Sequence, residues 1–502
     1  MTSAPVAEAT VEHGLAELVG AGLRVPLVTG GELPFANLDI AATAPCLAAV
    51  RDAVNAILPW YSSVHRGTGL PAEICTSAYE QARETVRQFA GPALGTTVVF
   101  TRNTTDAFNL LARCLPGGTT VIGFDTDHHS ALLPWRRAPV RRLVTPASAA
   151  GAVGAVDAAL RAAPVGPRLV CVTGASNVTG ELWPLADLAA VAHRHGARIA
   201  VDAAQLAPHR PIAMGRLGLD YVALSGHKLY APFGSGALIG RSDWLRAAPP
   251  YLAGGGAAVS VRDDGAEWAD LPARHEGGTP NLVGAVALAA ACDAITAVGW
   301  QPLRDHEDRL QRALRDGLAS VPGLSLLRLW DDAPRVGIAS FTIRGLSPAL
   351  VAATLAAEHA IGVRRGKLCA HPLVRRLTGG PDAIRASIGI GTTTEHITRL
   401  TSALHQLAAE GPRSAYADSH GGLRPGPEQP KATTIPRRPP PGNTATTARP
   451  SDPAHPPDQA QRRRRDDRPA ASANLKTEDR SEDPEANGFA KAAAVKGPKR
   501  GS

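Results

Sequence analysis

Long apolar runs are missing from this chain. No stretch approaches the ~18–20 apolar residues that a membrane-crossing helix needs, so no spanning segment is expected. The opening MTSAPVAEATVEHGLAELVG carries acids and lacks a basic start followed by an apolar core, which argues against a secretory signal. Cysteine is sparse and scattered: Cys46, Cys75, Cys114, Cys171, Cys292 and Cys369 show no CxxC or CxxH spacing. That speaks against a zinc site or disulfide framework and fits a reducing, cytoplasmic setting. Charge excess is also missing from most of the chain. The net charge is +8, but residues 411–502 hold 17 Lys+Arg against 11 Asp+Glu, so the first 410 residues are nearly neutral and a nucleic-acid partner is not expected.

The same stretch lacks core-forming residues. Tyr416 and Phe489 are its only aromatics, and segments such as PRRPPPGN and QRRRRDDR cannot bury enough apolar surface to order themselves. Residues 411–502 are therefore expected to be a disordered tail, with Arg462–Arg465 as a solvated run. At 502 residues the chain is too long for one small core, and two or three domains are expected.

What is present centres on residues 221–240, YVALSGHKLYAPFGSGALIG. Tyr221–Leu224 reads as a short buried strand; Ser225, His227 and Lys228 follow, then a glycine-rich turn and a second apolar run, Ala237–Ile239. A lysine just past a buried strand end is partly desolvated, which lowers its pKa and leaves an amine able to condense with an aldehyde. Upstream, ARIAVDAAQ (197–205) is another apolar strand, ending on Asp202 and Gln205. Strand ends are where open α/β sheets bind ligands.

Pyridoxal phosphate (PLP) asks a protein for a lysine, an acid against the ring nitrogen and donors for the phosphate. SGHKLYAPFGSGALIG together with VDAAQLAPH resembles the PLP site of class V aminotransferases, and more narrowly the cysteine desulfurase and selenocysteine lyase branch. Further motifs of that branch recur in order from about residue 36 to residue 408. The resemblance implies an α/β chain of PLP fold type I: an N-terminal segment (1–35) that reads as a short helix and a lead-in, a large domain with a mostly parallel sheet (36–298), a smaller α+β domain (299–410) and the tail. The alternation of short apolar strands with helices over 98–240 agrees independently with a parallel sheet and crossover helices.

Position by position, the resemblance implies that Lys228 holds PLP, Asp202 faces the ring nitrogen, and His128 stacks on the ring and handles protons. Thr104 and Thr105 fall in the phosphate cradle at a helix start where Thr104 is placed as the cap; Ser225 and His227 are further phosphate donors. Asn177 and Gln205 match the pair near the phenolic oxygen. Thr279 in HEGGTPN matches the threonine that reaches the neighbouring subunit's phosphate, implying a homodimer. Arg385 is the substrate-carboxylate arginine, a role suited to a two-pronged guanidinium; His65 and Arg364 are further substrate contacts. Cys369 aligns with the mobile-loop nucleophile, and the neighbouring Arg364, Arg365 and Lys367 favour a thiolate.

The pattern departs from the family at three places. Ile40 stands where an asparagine is usual, Gly69 where a histidine is, and Lys367-Leu368 where the branch commonly shows two histidines. The implied activity is sulfur removal from L-cysteine to give L-alanine and a persulfide on Cys369 for a sulfur-acceptor protein, with selenocysteine as a related substrate. Lys367-Leu368 keeps a second class V reaction open: transamination, epimerisation or C–S lysis without persulfide. A third reading is a PLP-fold scaffold whose tail recruits partners. No metal is expected.

Overall fold

The computed structural model describes residues 14–91, 95–419 and 422–425. The expected tail beyond 425 and the chain before residue 14 lie outside the described residues.

Seven strands form the central sheet: β1 (Thr96–Thr101), β2 (Thr120–Phe124), β3 (Val140–Leu143), β4 (Arg168–Thr173), β5 (Arg198–Asp202), β6 (Tyr221–Ser225) and β7 (Gly236–Arg241). Their order is β1-β7-β6-β5-β4-β2-β3. Strands β6, β5, β4, β2 and β3 run parallel, while β7 is antiparallel to both β6 and β1. The reason for the exception is connection length. A parallel return needs a crossover of a dozen or more residues, and only the ten residues 226–235 separate β6 from β7. Strand β6 is buried throughout because both faces of the sheet are covered. On one side pack residues such as Ile122, Val170, Ile199 and Val222; on the other, Phe108, Val121, Leu169 and Tyr221.

A second sheet holds β8 (Leu324–Leu326), β9 (Ile338–Ile343), β10 (Arg364–Gly366) and β11 (Ala383–Ser387), in the antiparallel order β8-β9-β11-β10. It packs on helices Trp300–Ala319, Pro348–His359 and Thr394–Glu410 through Leu310, Leu314, Phe341, Leu355 and Leu400. Helix Leu282–Val298 leads toward it and is almost wholly apolar, consistent with burial on most of its circumference. Among the described residues no single helix is long and apolar enough to cross a membrane.

Three details differ from expectation. Residues 14–35 form a hairpin, Arg24–Pro26 with Glu32–Pro34, and no helix among those described. Ala36–Asn37, expected with the large domain, pairs with Ile361–Gly362, and Leu38 accepts from Ser387 N–H, so this segment hydrogen-bonds to the smaller layer. The tail was expected to lose order at 411, yet the chain continues into a hairpin, β12 (Tyr416–Ser419) with β13 (Gly422–Pro425). Its anchor is Glu358, buried in the helix Pro348–His359, which accepts from the N–H groups of Arg413 and Ser414 and from the Tyr416 hydroxyl at 3.0–3.1 Å. A buried carboxylate needs such donors, and the Pro/Arg-rich composition hides that local demand.

Candidate active site

The site assembles at the C-terminal ends of β5 and β6. Asp202 is the last residue of β5 and pairs in register with Ala223 of β6; Lys228 follows β6 after one tight turn, Gly226–Lys228. Only glycine fits at 226, since a Cβ there would lie 2.8 Å from both the carbonyl and the hydroxyl oxygens of Ser235. The two charges are therefore neighbours by sheet geometry. Burial holds the Lys228 amine below its ordinary value, Asp202 pulls it back up, and Arg385 lowers it further.

A cavity of about 550 Å3 opens above this pair. It is lined by Lys228, His128, Asn177, Arg364, Cys369 and Arg385, and at its inner end by Thr104, Thr105, Ser225 and His227. Ten of the expected site residues thus meet in one place, drawn from both sheets and from the loops between. Asp202 lies beneath the lining. Its Oδ2 accepts from the Ser130 hydroxyl at 3.1 Å and its Oδ1 from Ala204 N–H at 3.0 Å.

The inner end is built to take an anion. Helix Thr104–Cys114 begins there, and its cap is Asn103, whose side chain accepts from Asp106 N–H at 3.0 Å; Thr104, expected as the cap, is the first helical residue instead. Asn103 is extended and Thr104 is helical, which decides the matter. Thr104 N–H and Oγ1 both bond to Ser225 Oγ at 2.9 Å, tying the helix start to the end of β6. That leaves the Thr105 N–H and the positive end of the helix for a bound anion. His227 touches Thr43 at 3.2 Å, and burial brings its imidazole down to about 4, so it is neutral at pH 7 and donates one N–H.

His128 is brought down to about 4, first by burial, against the opposing pull of Asp202. Its Nδ1 lies 2.7 Å from Ser130 Oγ, which also reaches Asp202, so one hydroxyl stands between imidazole and carboxylate. Ser130 was not singled out in the sequence; its position two residues past His128 is the only signal it offered. Asp127, just before, accepts from Phe124 and Thr173 N–H groups and is pushed up to about 7 by burial.

Arg385 is 3% exposed. It donates to Asn177 O at 2.8 Å and to Asp39 at 3.2 Å, and its Nε is buried without a partner. A buried guanidinium in a cavity lining suits an anionic ligand. Cys369 is exposed, and both it and Leu368 sit at φ 51°, an uncommon left-handed conformation for such residues. The pair turns Leu368 inward against Leu327, Leu373 and Val374 while Cys369 lines the cavity. Asn177 Nδ2 holds Leu368 O at 2.7 Å, and His129 N–H holds Cys369 O at 3.0 Å. Two carbonyls of this loop are thus hydrogen-bonded to the large domain's loops.

Three expected residues are not brought into the cavity. Gln205 gives its amide to Ala41 O at 2.6 Å and supports the wall rather than lining it. His65 is exposed and paired with Glu80 at 2.8 Å beside a different cleft. Thr279 lines another cleft, with Tyr251, Leu252 and Glu276. Among the described residues no cluster of His, Cys, Asp and Glu suits a metal ion.

A mostly parallel sheet with a lysine and an acid at adjacent strand ends, a helix start in the cavity lining and a second smaller layer closing the cavity define a class, and the chain belongs to it: residues 36–400 match the family model Aminotransferase class-V. Members of this family are PLP-dependent. Within it, the chain is 36% identical over 408 residues to a cysteine desulfurase of Dickeya dadantii, covering 79% of this chain and 98% of that protein. A cysteine desulfurase of Klebsiella pneumoniae is 34% identical, with 74% and 93% covered. Among solved structures it is similar to the Escherichia coli cysteine desulfurase in its S-sulfonic acid form, with TM-score 0.65 and 32% identity over 74% of this chain and 94% of that one. The apo cysteine desulfurase of Thermococcus onnurineus gives TM-score 0.68 at 30% identity, again over 74% and 94%.

Proposed function

We propose that the chain is a PLP-dependent cysteine desulfurase that converts L-cysteine to L-alanine and leaves the sulfur on Cys369. The observation that carries this is a single cavity lined at once by an amine, a guanidinium and an accessible thiol, Lys228, Arg385 and Cys369. The relatives named above support the same reading.

The residues fit the cofactor. Thr104, Thr105, Ser225 and His227 would hold the phosphate, Asp202 the ring nitrogen, Lys228 the aldehyde carbon, and His128 would cover the ring. When bound, the cofactor withdraws electrons from the substrate Cα. Arg385, in the cavity lining, binds the substrate carboxylate through its guanidinium. Lys228, with its charge disfavoured by burial, takes the Cα proton at Nζ. His128, neutral at pH 7, is free to accept or return a proton at Nε2. The Cys369 thiolate attacks the substrate sulfur: an S–S bond forms, the C–S bond breaks, and its electron pair stays on the carbon side. Asn177 and His129 hold the loop that presents the thiol.

A homodimer and a sulfur-acceptor protein belong to the proposal. Thr279 is exposed outside the cavity, and Leu252 in the same cleft and Val259 in the cleft beside it are exposed apolar side chains, which suits burial by a second copy. The six free thiols suit a reducing cytoplasm. The division into larger and smaller domains belongs here too, supported by two separate sheets with separate cores.

The test is incubation of the purified, PLP-loaded protein with L-cysteine. Alanine should form and Cys369 should carry an extra sulfur. Cys369→Ala should keep the cofactor absorbance and lose sulfur release by at least ~100-fold, the scale expected on removing a nucleophile. Pyruvate or a keto acid in place of alanine would establish the lyase or transaminase reading. Unchanged activity in Cys369→Ala would remove that residue from the chemistry.

A further inference from the structure

Within that reading of Cys369 as the nucleophile, we infer that His371 is the group that takes the thiol proton and stays beside the thiolate as an imidazolium. Three observations converge. His371 and Cys369 line the same cavity and are two residues apart, on either side of the cap of helix His371–Thr378. His371 is exposed, and neither of its ring nitrogens has a hydrogen-bond partner among the described residues. Its ring meets that of His129 edge-on at 4.4 Å, and the His129 N–H donates to the Cys369 carbonyl at 3.0 Å. One residue therefore touches both partners and fixes where the imidazole stands relative to the cysteine backbone.

Each of the cavity's other imidazoles has its Nδ1 engaged, which leaves it one ring nitrogen rather than two. His128 is bonded to Ser130, and His227 to Thr43. The residues immediately before the cysteine offer none: Leu368 is packed into an apolar cluster and Lys367 is a cation. Arg364 and Arg365 on β10, with Lys367, are the further charges on the cysteine's own segment. Lys228 and Arg385 face it from the floor, and Asp382 from the loop before β11. His129 stands beside His371, where a second positive charge is disfavoured, and burial and His371 together hold it below its ordinary value. In the step itself the S–H proton moves to a ring nitrogen and the bonding pair remains on sulfur, so no oxidant or reductant is consumed. An ion pair of this kind raises the thiolate fraction at neutral pH.

The experiment is the pH profile of Cys369 alkylation by iodoacetamide, read by peptide mass spectrometry on the full chain. Cys369 is the only exposed cysteine among the described residues, so its signal separates cleanly. In His371→Gln the profile should move to higher pH by about one unit, and the rate near neutral pH should fall roughly tenfold. Superimposable profiles would overturn the inference. A second measurement needs no substitution: the NMR titration midpoint of the His371 ring should fall by about half a unit or more once Cys369 is alkylated, the loss of a paired charge acting on the imidazole. No movement would overturn it as well. Alkylation needs neither substrate nor turnover, so a shifted profile in a protein that makes no alanine would reject the desulfurase reading and keep this one.

Discussion

His227 and Asp127 show how burial sets charge one side chain at a time. Burial pushes the two groups in opposite directions, to about 4 for the imidazole and about 7 for the carboxyl. Unfolded, they titrate near ~6.5 and ~3.9. The histidine's contribution to stability is therefore complete above ~6.5 and is lost as pH falls through about 4. The aspartate's is complete below ~3.9 and is lost as pH rises through about 7. The two trends oppose each other in the wild type, so variants must separate them. In the cofactor-free protein, His227→Gln should hold its Tm better than wild type on acidification from pH 6.5 to 4. Asp127→Asn should hold it better on going from pH 4 to 7. Parallel Tm curves for variant and wild type would contradict either assignment. For Lys228, borohydride treatment of the loaded protein should fix the cofactor on the peptide that contains residue 228, and Lys228→Ala should lose that label while keeping its fold. Lysine scarcity also singles it out: among the described residues only Lys228 and Lys367 are lysines, and only Lys228 follows a buried strand.

At the scale of elements, the phosphate end depends on how closely β7 approaches the loop before helix Thr104–Cys114. A Cβ at Gly236 would lie 2.6 Å from Leu224 O and 2.7 Å from Asn103 Cα, both backbone atoms that cannot step aside. Gly236→Ala should therefore cost about 2 kcal/mol or more in denaturant unfolding and weaken PLP affinity, because Asn103 caps the helix. Wild-type affinity in that variant would show that the cap does not govern the cradle. The cysteine loop is held by an apolar residue rather than by a hinge. Leu368→Ala should cost about 2–3 kcal/mol through lost packing against Leu327, Leu373 and Val374.

Across the whole molecule, the described chain extends past the family match to residue 425, and the added hairpin answers a buried carboxylate. Ending the chain after residue 410 removes three hydrogen bonds to Glu358 and should lower stability by about 2 kcal/mol. Ending it after residue 425 should leave the melting temperature unchanged. Equal melting temperatures for the two truncations would show that the hairpin contributes nothing to the fold.

Much of this was legible in the linear chain. Short apolar runs ending on Asp202 and Ser225, with Lys228 just beyond, are local patterns, and burial of a strand on both faces writes itself into consecutive residues. What only the tertiary structure decided are contacts between residues far apart in the chain: the Ser130 bridge from His128 to Asp202, the Asn177 grip on Leu368, the retreat of Gln205 to Ala41, and the meeting of His129 with His371. Such pairings leave no local periodicity, because a hydrogen bond across 72 or 191 residues depends on where two elements pack and not on what flanks either partner.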